Sequence, residues 1–457
     1  MNKKSMTRRT FINNTSKSMA GVVIASELGF TACTNSIQAA NKPAILGGSP
    51  LQVKSWPNWP IWNPETDEHQ VIESLRSGVW SRKKIAKEFE EEWAETLGAK
   101  RSLLTTNGTH ALIISLKTLG IGAGDEVITT PYTFIATIDA ILLNNAMPVF
   151  VDVDPETYQI DPEKIEEKIT SRTRAILPVH ILGLPADMER INEIAKKHNL
   201  IVVEDACQAH LAEINGKKVG TLSNAGCFSF QNSKNLAIGE GGAIVSDDVD
   251  FIDSASSFHD FGRAYGDMVG DVSGQYIKVG TKSRLTDYQA AIGLAQLKRL
   301  EGQTEKRNRN AEYLKSKIKN IPGIIPYKLT KNVTRAAFHL FPFRYKAAQF
   351  QNLPRNEFLE ALSAEGVPCS GGYTPLNTMP YLKDALSSRI FKAFYAKEKL
   401  DFNNYIEENK CPVNDLLCKE MVWLPQNVLL GTKQDMDNIA EAIAGIQSYS
   451  GEIKNKV

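Results

Sequence analysis

Apolar residues recur every four positions at Ile85, Phe89, Trp93 and Leu97, and the run stops at Gly98. That is the spacing of a half-buried helix, with the stop signal that helices favour. The pattern predicts one helix from Thr66 to about Trp80 and a second from Ser81 to Leu97. Downstream the period changes. Short apolar runs predict buried strands at Arg101–Thr105, Glu126–Thr130, Pro148–Val151, Ala175–Pro178 and Leu200–Glu204. Helical stretches alternate with them at Ala111–Leu119, around Ile135–Leu143 and at Ala186–His198. Such alternation implies an α/β fold, a mostly parallel sheet with helices on both faces.

After Asp247 the rhythm changes again. A long helical tract is expected from Asp287 to about Ile321, with a break near Gly302. Phe338–Tyr345, Pro354–Glu365 and Lys433–Tyr449 then supply strands and helices of a smaller α+β lobe. The chain accordingly divides into a large domain with an N-terminal arm, residues 41–301, and a small C-terminal domain, residues 302–457.

Composition narrows the function without naming it. The 457 residues carry 53 Lys+Arg against 52 Asp+Glu, and 42% are hydrophobic. These values exclude a disordered chain and a multispan membrane protein, and the charge balance argues against a nucleic-acid partner. Six cysteines are too few for a disulfide scaffold, although Cys411 and Cys418 could pair in an oxidising compartment.

The first forty residues read as an address. Arg8-Arg9 after Thr7, with Phe11 two beyond, resembles a twin-arginine export signal, and an apolar stretch from Met19 to Phe30 follows. That stretch is interrupted by Glu27 and too short to span a bilayer, which takes about 20 apolar residues. Two processing routes stay open: lipidation of Cys33 in Phe30-Thr31-Ala32-Cys33, giving a lipid anchor, or cleavage after Ala39-Ala40. Either implies an exported, periplasmic or membrane-anchored protein.

Three segments fall at the carboxyl ends of strands, where open α/β sheets bind ligands. Thr105-Thr106-Asn107-Gly108-Thr109-His110 turns a strand into a helix, whose first free N–H groups suit a phosphate. In Val202-Val203-Glu204-Asp205-Ala206-Cys207-Gln208-Ala209-His210 two acids end an apolar strand, where burial is costly unless they are paired. One of them could hold a proton on a basic nitrogen. Cys227-Phe228-Ser229-Phe230-Gln231-Asn232-Ser233-Lys234-Asn235, with Gly239-Glu240-Gly241-Gly242, brings Ser229 and Lys234 toward one place. A lysine near an acid and a phosphate cradle is a candidate for Schiff-base chemistry.

Together these segments resemble the DegT/StrS family of pyridoxal-phosphate-dependent sugar aminotransferases, which have the aspartate-aminotransferase-like fold (PLP fold type I). The likeness runs from about Pro43 to Ser448. It is carried by the Glu204–His210 and Phe228–Gly242 stretches, Asn107-Gly108-Thr109, Pro131–Thr137, Pro178-Val179-His180 with Gly183 and Pro185-Ala186-Asp187, and Tyr288–Gly293. The resemblance implies that Lys234 binds pyridoxal phosphate covalently and that Asp205 pairs with its ring nitrogen. It further implies that Phe134 stacks on the ring, that Gly108, Thr109 and Ser229 hold the phosphate, and that Gln208 reaches the ring hydroxyl. It implies a homodimer, an amino acid donor such as glutamate or glutamine, and a keto sugar or keto cyclitol as acceptor. Relatives acting on nucleotide-linked sugars and on cyclitols share these motifs, and export disfavours the former. Sugar dehydratases of the same fold replace the lysine by histidine, which Lys234 argues against. A non-catalytic exported sugar-binding module is the remaining alternative.

One segment departs from the family pattern. Gly280-Thr281-Lys282-Ser283-Arg284 carries Lys282 where relatives use an asparagine supplied to the neighbouring subunit's phosphate. A lysine could meet the same phosphate as a point charge. His180, His210 and His339 lack a second ligand at metal spacing, so no metal is expected and they read as structural or substrate-adjacent. Gly120-Ile121-Gly122-Ala123-Gly124 precedes a strand and fails the context of a dinucleotide loop. Trp56, Trp59 and Trp62 lie in an arm from Ser55 to Pro64, expected to pack on a lobe or on a partner subunit.

Overall fold

The computed structural model describes residues 42–266 and 275–456. The proposed export segment, with its arginine pair and Cys33, lies outside the described residues. Among the described residues no helix is long and apolar enough to cross a membrane.

Helix α1 (Pro64–Arg76) opens with Asn63, whose side chain accepts from the Glu65 N–H, and with Pro64 in the first turn. Helix α2 (Lys84–Leu97) buries Phe89, Trp93 and Leu97, three of the four positions of the stripe seen in the sequence, and ends on Gly98 with φ 74°. Its start has no cap of its own. Asp287 supplies one from 200 residues away, accepting from the N–H groups of Lys83 (2.5 Å), Ile85 (3.2 Å) and Ala86 (3.2 Å). Asp287→Ala would leave those donors without an acceptor, and a loss of about 2–4 kcal/mol is expected. A urea titration checks this; an unchanged midpoint would show that the cap contributes nothing.

From here strands and helices alternate: β1 (Arg101–Thr105), α3 (Gly108–Thr118), β2 (Glu126–Thr129), α4 (Ala136–Leu143), β3 (Met147–Phe150), β4 (Thr173–Ile176), α5 (Met188–His198) and β5 (Ile201–Asp205). A hairpin of β6 (Glu213–Ile214) and β7 (Lys217–Lys218) precedes β8 (Ala225–Ser229), β9 (Gly242–Ser246) and α6 (Val249–His259). The seven-stranded sheet runs β1-β9-β8-β5-β4-β2-β3. Only β9 opposes its neighbours, pairing antiparallel with β1 and β8. The C-terminal ends of β1, β2, β5 and β8 therefore share one edge, and the start of β9 returns to it.

Helix α7 (Asp287–Ile318) is unbroken, which corrects the break expected at Gly302. Gly302 is exposed with nothing near its missing Cβ, so it costs only about 1 kcal/mol relative to alanine. Packing on both sides of it outweighs that cost. Ala290, Leu294 and Leu300 join the core under the seven-stranded sheet, while Ala311, Leu314 and Ile318 join a second core.

That second core lies on the four-stranded antiparallel sheet β10-β12-β14-β13, built from β10 (Ile324–Pro326), β12 (Leu340–Tyr345), β13 (Ser370–Gly371) and β14 (Met421–Pro425). The intervening β11 (Val333–Arg335) pairs with β6 instead. Helix α8 (Arg355–Ala364) precedes β13. Between β13 and β14 come α9 (Tyr381–Leu386), α10 (Arg389–Phe394), α11 (Lys397–Leu400), α12 (Phe402–Glu408) and α13 (Pro412–Glu420), and α14 (Lys433–Ser448) and α15 (Ser450–Lys456) end the chain. The four helices α9–α12 were not foreseen from the sequence. They cover edge strand β3, where Asn409 Oδ1 accepts from the Phe150 N–H (2.7 Å) and the Tyr405 hydroxyl donates to the Pro148 carbonyl (2.7 Å). Unpaired edge groups are thereby satisfied. Cys411 packs in this cluster and Cys418 in the second core; both are free thiols, so the pairing considered from sequence is not made.

Candidate active site

A cavity of about 540 Å³ opens at the shared C-terminal edge of the strands. Gly108, Thr109, Phe134, Asp205, Gln208, Ser229 and Lys234 all line it. Seven of the eight residues predicted from sequence thus meet in one place. The eighth, Lys282, is exposed and does not line this chain's own cavity.

The corner of the cavity at Gly108 is built by close approach of three backbones. Asn107 caps α3, its side chain accepting from the His110 N–H (2.8 Å). A Cβ on Gly108 would sit 2.7 Å from Cys207 Sγ and 2.8 Å from Ser229 Cβ, and one on Gly242 would sit 2.4 Å from the Asn107 carbonyl carbon. Only glycine lets β1, β8 and β9 converge there. The result places the first turn of α3 beside the Ser229 hydroxyl, an arrangement suited to an anion.

The two acids at the end of β5 divide their work. Glu204 is fully buried and accepts from the N–H groups of Gly220 (2.6 Å) and Leu222 (2.8 Å) and from the Ser223 hydroxyl (2.9 Å), and it contacts His180 Nε2 at 3.1 Å. His180 Nδ1 in turn accepts from the Ala186 N–H (3.0 Å), which puts the imidazole proton on Nε2, toward Glu204. This pair holds the fold. Asp205 faces the cavity and receives two donors, the Thr137 hydroxyl on Oδ2 (2.8 Å) and the Cys207 N–H on Oδ1 (3.2 Å). A carboxylate has about four acceptor sites, so it keeps capacity for a cationic ring nitrogen.

Lys234 follows β8 in a turn closed by its own N–H on the Gln231 carbonyl (2.8 Å). Its carbonyl accepts from Trp59 Nε1 (3.2 Å), so the N-terminal arm straps across the lysine loop of the same chain. Trp56 likewise donates to the Gly366 carbonyl (2.8 Å), while Trp62 stays exposed. Burial lowers the Lys234 amine from its ordinary pKa, with Cys207 and Asp205 pulling the other way. Phe134 stands at the cavity lining with 57% of its surface exposed, an unusual cost for a large aromatic unless something stacks on it.

Thr137 and Tyr373 line the cavity although the sequence reading gave them no role, and His339, read there as structural or substrate-adjacent, lines it as well. Thr137 lies in the Pro131–Thr137 stretch, but its bond to Asp205 joins residues 68 apart. His339 and Tyr373 come from the second sheet region, and no local pattern marks them. Burial, with Lys234, His210 and Arg307 nearby, holds the His339 imidazole well below its usual pKa and so neutral. Burial pushes the Tyr373 hydroxyl up to about 12; it accepts from Gln208 Nε2 (3.0 Å), and Gln208 Oε1 accepts from the Leu182 N–H (2.8 Å). His210 is sealed among Trp93, Phe228 and Phe230, where burial lowers its pKa to about 3, so it is structural. No cluster of metal-ligating side chains occurs among the described residues.

An amine, a carboxylate with spare acceptor sites, a glycine-lined helix start and an exposed aromatic ring fit pyridoxal phosphate. Comparison with known proteins points the same way. The model of the DegT/DnrJ/EryC1/StrS aminotransferase family matches residues 63–444. A protein of Micromonospora echinospora, provisionally named an L-glutamine:3-amino-2,3-dideoxy-scyllo-inosose aminotransferase, is 35% identical over 427 residues, covering 91% of this chain and 99% of the relative. The L-glutamine:2-deoxy-scyllo-inosose aminotransferase of Streptomyces kanamyceticus is 32% identical over 424 residues, covering 90% and 98%. The crystal structure of 3-amino-5-hydroxybenzoic acid synthase superposes with a TM-score of 0.75 at 31% identity, covering 87% of this chain and all of that one. The chain belongs to the DegT/DnrJ/EryC1/StrS aminotransferase family and is a pyridoxal-phosphate-dependent aminotransferase of fold type I.

Proposed function

We propose that the acceptor is a keto cyclitol and the donor glutamine, and that Lys234 and Asp205 carry the exchange. The observation that supports this most is the meeting of Lys234, Asp205 and the Gly108 turn in one cavity. The names of the relatives above supply the substrate class. Bound pyridoxal phosphate supplies an electron sink and stores the amino group between the two halves of the exchange. Lys234 Nζ would hold the cofactor and, when free of it, would serve as the base and acid that takes up and returns a proton. Asp205 keeps the ring nitrogen protonated, because a nearby anion favours the charged form. Gly108, Thr109 and Ser229 hold the phosphate, Phe134 covers a ring face, and Gln208 reaches toward the ring hydroxyl. Tyr373 and His339 offer hydroxyl and neutral imidazole groups to a polyhydroxy acceptor.

The same reading makes the active form a homodimer in which Lys282 meets the partner's cofactor phosphate; its exposure away from its own cavity supports this. It also makes the protein an exported one, supported by Arg8-Arg9 and the apolar stretch that follows. Absorbance of the purified, cofactor-loaded protein tests the substrates. Glutamine is expected to bleach the visible band of the lysine-bound cofactor, and a scyllo-inosose-type ketone to restore it. Restoration by nucleotide-linked keto sugars alone would overturn the cyclitol assignment.

A further inference from the structure

We propose that Thr137 is a positioning residue for Asp205, with Thr133 behind it, in a one-way chain of hydroxyl protons ending on the carboxylate that faces the cofactor. Thr133 and Thr137 are each 1% exposed and Asp205 is 5% exposed. Thr137 Oγ1 donates to Asp205 Oδ2 at 2.8 Å, and Thr133 Oγ1 lies 2.8 Å from Thr137 Oγ1. A carboxylate only accepts, and a hydroxyl has one proton. Thr137 therefore spends its proton on Asp205, and the contact behind it carries the proton of Thr133. Hydrogen bonds aligned in this way polarise one another, more so where water is excluded.

The contrast with Glu204 gives the chain its meaning. Glu204 receives three N–H or O–H donors and also meets His180, which leaves it no task beyond the fold. Asp205 receives the Thr137 hydroxyl on Oδ2 and the Cys207 N–H on Oδ1, with the Cys207 thiol also at its side. Thr137 fixes which lone pairs of the carboxylate turn toward the cavity. Because it sits in the first turn of α4, it joins the position of that carboxylate to the loop carrying Phe134.

This inference rests on the assignment of Asp205 to the ring nitrogen, and the experiment separates the two. Pyridoxal phosphate is titrated into apoprotein, and its affinity and bound absorbance spectrum are read for Thr137→Val, Thr137→Ser, Thr133→Val and Asp205→Asn. Thr137→Val should weaken binding roughly ten-fold and shift the spectrum, as expected for losing a hydrogen bond to a charged group. Thr137→Ser should stay within about two-fold of the natural protein, and Thr133→Val should fall between. In the Asp205→Asn background, Thr137→Val should add nothing, because its effect passes through that carboxylate. Natural affinity and spectrum in Thr137→Val, or an equal loss with Asp205 already replaced, would overturn the proposal. Should Thr137→Val fail to fold by thermal melting, Thr133→Val reads the same chain one link further back, and its natural affinity and spectrum would likewise overturn it. An Asp205→Asn protein unchanged in affinity and spectrum would instead remove the assignment of Asp205 itself.

Discussion

Lys234→Ala is expected to abolish both the visible absorbance of bound cofactor and turnover, a loss of at least about a thousand-fold. Among the described residues, the substitution removes the one amine that lines the cavity. Lys234→Arg should be as inactive, since a guanidinium keeps the charge but is not a nucleophile. The direction of the lysine's pKa adds a second expectation. Burial lowers it, so at a given pH a larger share of this amine is unprotonated than of an ordinary lysine. The rate at which apoprotein captures pyridoxal phosphate should therefore rise with pH and level off below the pH at which an exposed lysine would. Stopped-flow absorbance checks both points. Turnover retained in Lys234→Ala would remove the mechanism.

Asp205→Ala carries the next largest expected effect. The ring nitrogen would lose its counter-ion, and the donors from Thr137 and Cys207 would lose their acceptor. Removing one partner of a buried charge pair typically costs about 3–5 kcal/mol, or roughly 10²–10⁴ in rate. The glutamine half-exchange, followed by cofactor absorbance, should slow by that factor while the fold persists. A rate within about three-fold of the natural protein would show that Asp205 does not face the ring nitrogen.

Much of this architecture was legible in the chain because the forces behind it are local. The stripe Ile85, Phe89, Trp93, Leu97 and the stop at Gly98 state a helix, and runs such as Leu200–Glu204, observed as Ile201–Asp205, state buried strands. Gly108, Asp205, Ser229 and Lys234 stood out because each lies at or just beyond the end of a strand, whereas the roles of Phe134 and Gln208 came from the family resemblance. What stayed hidden depends on contacts made at a distance. Gly302 looked like a break because its own cost is local, while the two cores that hold α7 straight are assembled from residues elsewhere. The capping of α2 by Asp287, the covering of β3 by α9–α12 and the approach of His339 and Tyr373 to Lys234 are likewise products of the tertiary fold. Glu204 and Asp205, adjacent and both acidic, could not be told apart until strand alternation sent one into the core and the other into the cavity.

The most direct test of the central claim is borohydride reduction of the cofactor-loaded protein followed by peptide mass spectrometry. The account predicts a single pyridoxyl adduct on the peptide containing Lys234, lost when glutamine is added before the reductant. An adduct on any other lysine, or none at all on a protein that still transfers amino groups, would contradict it.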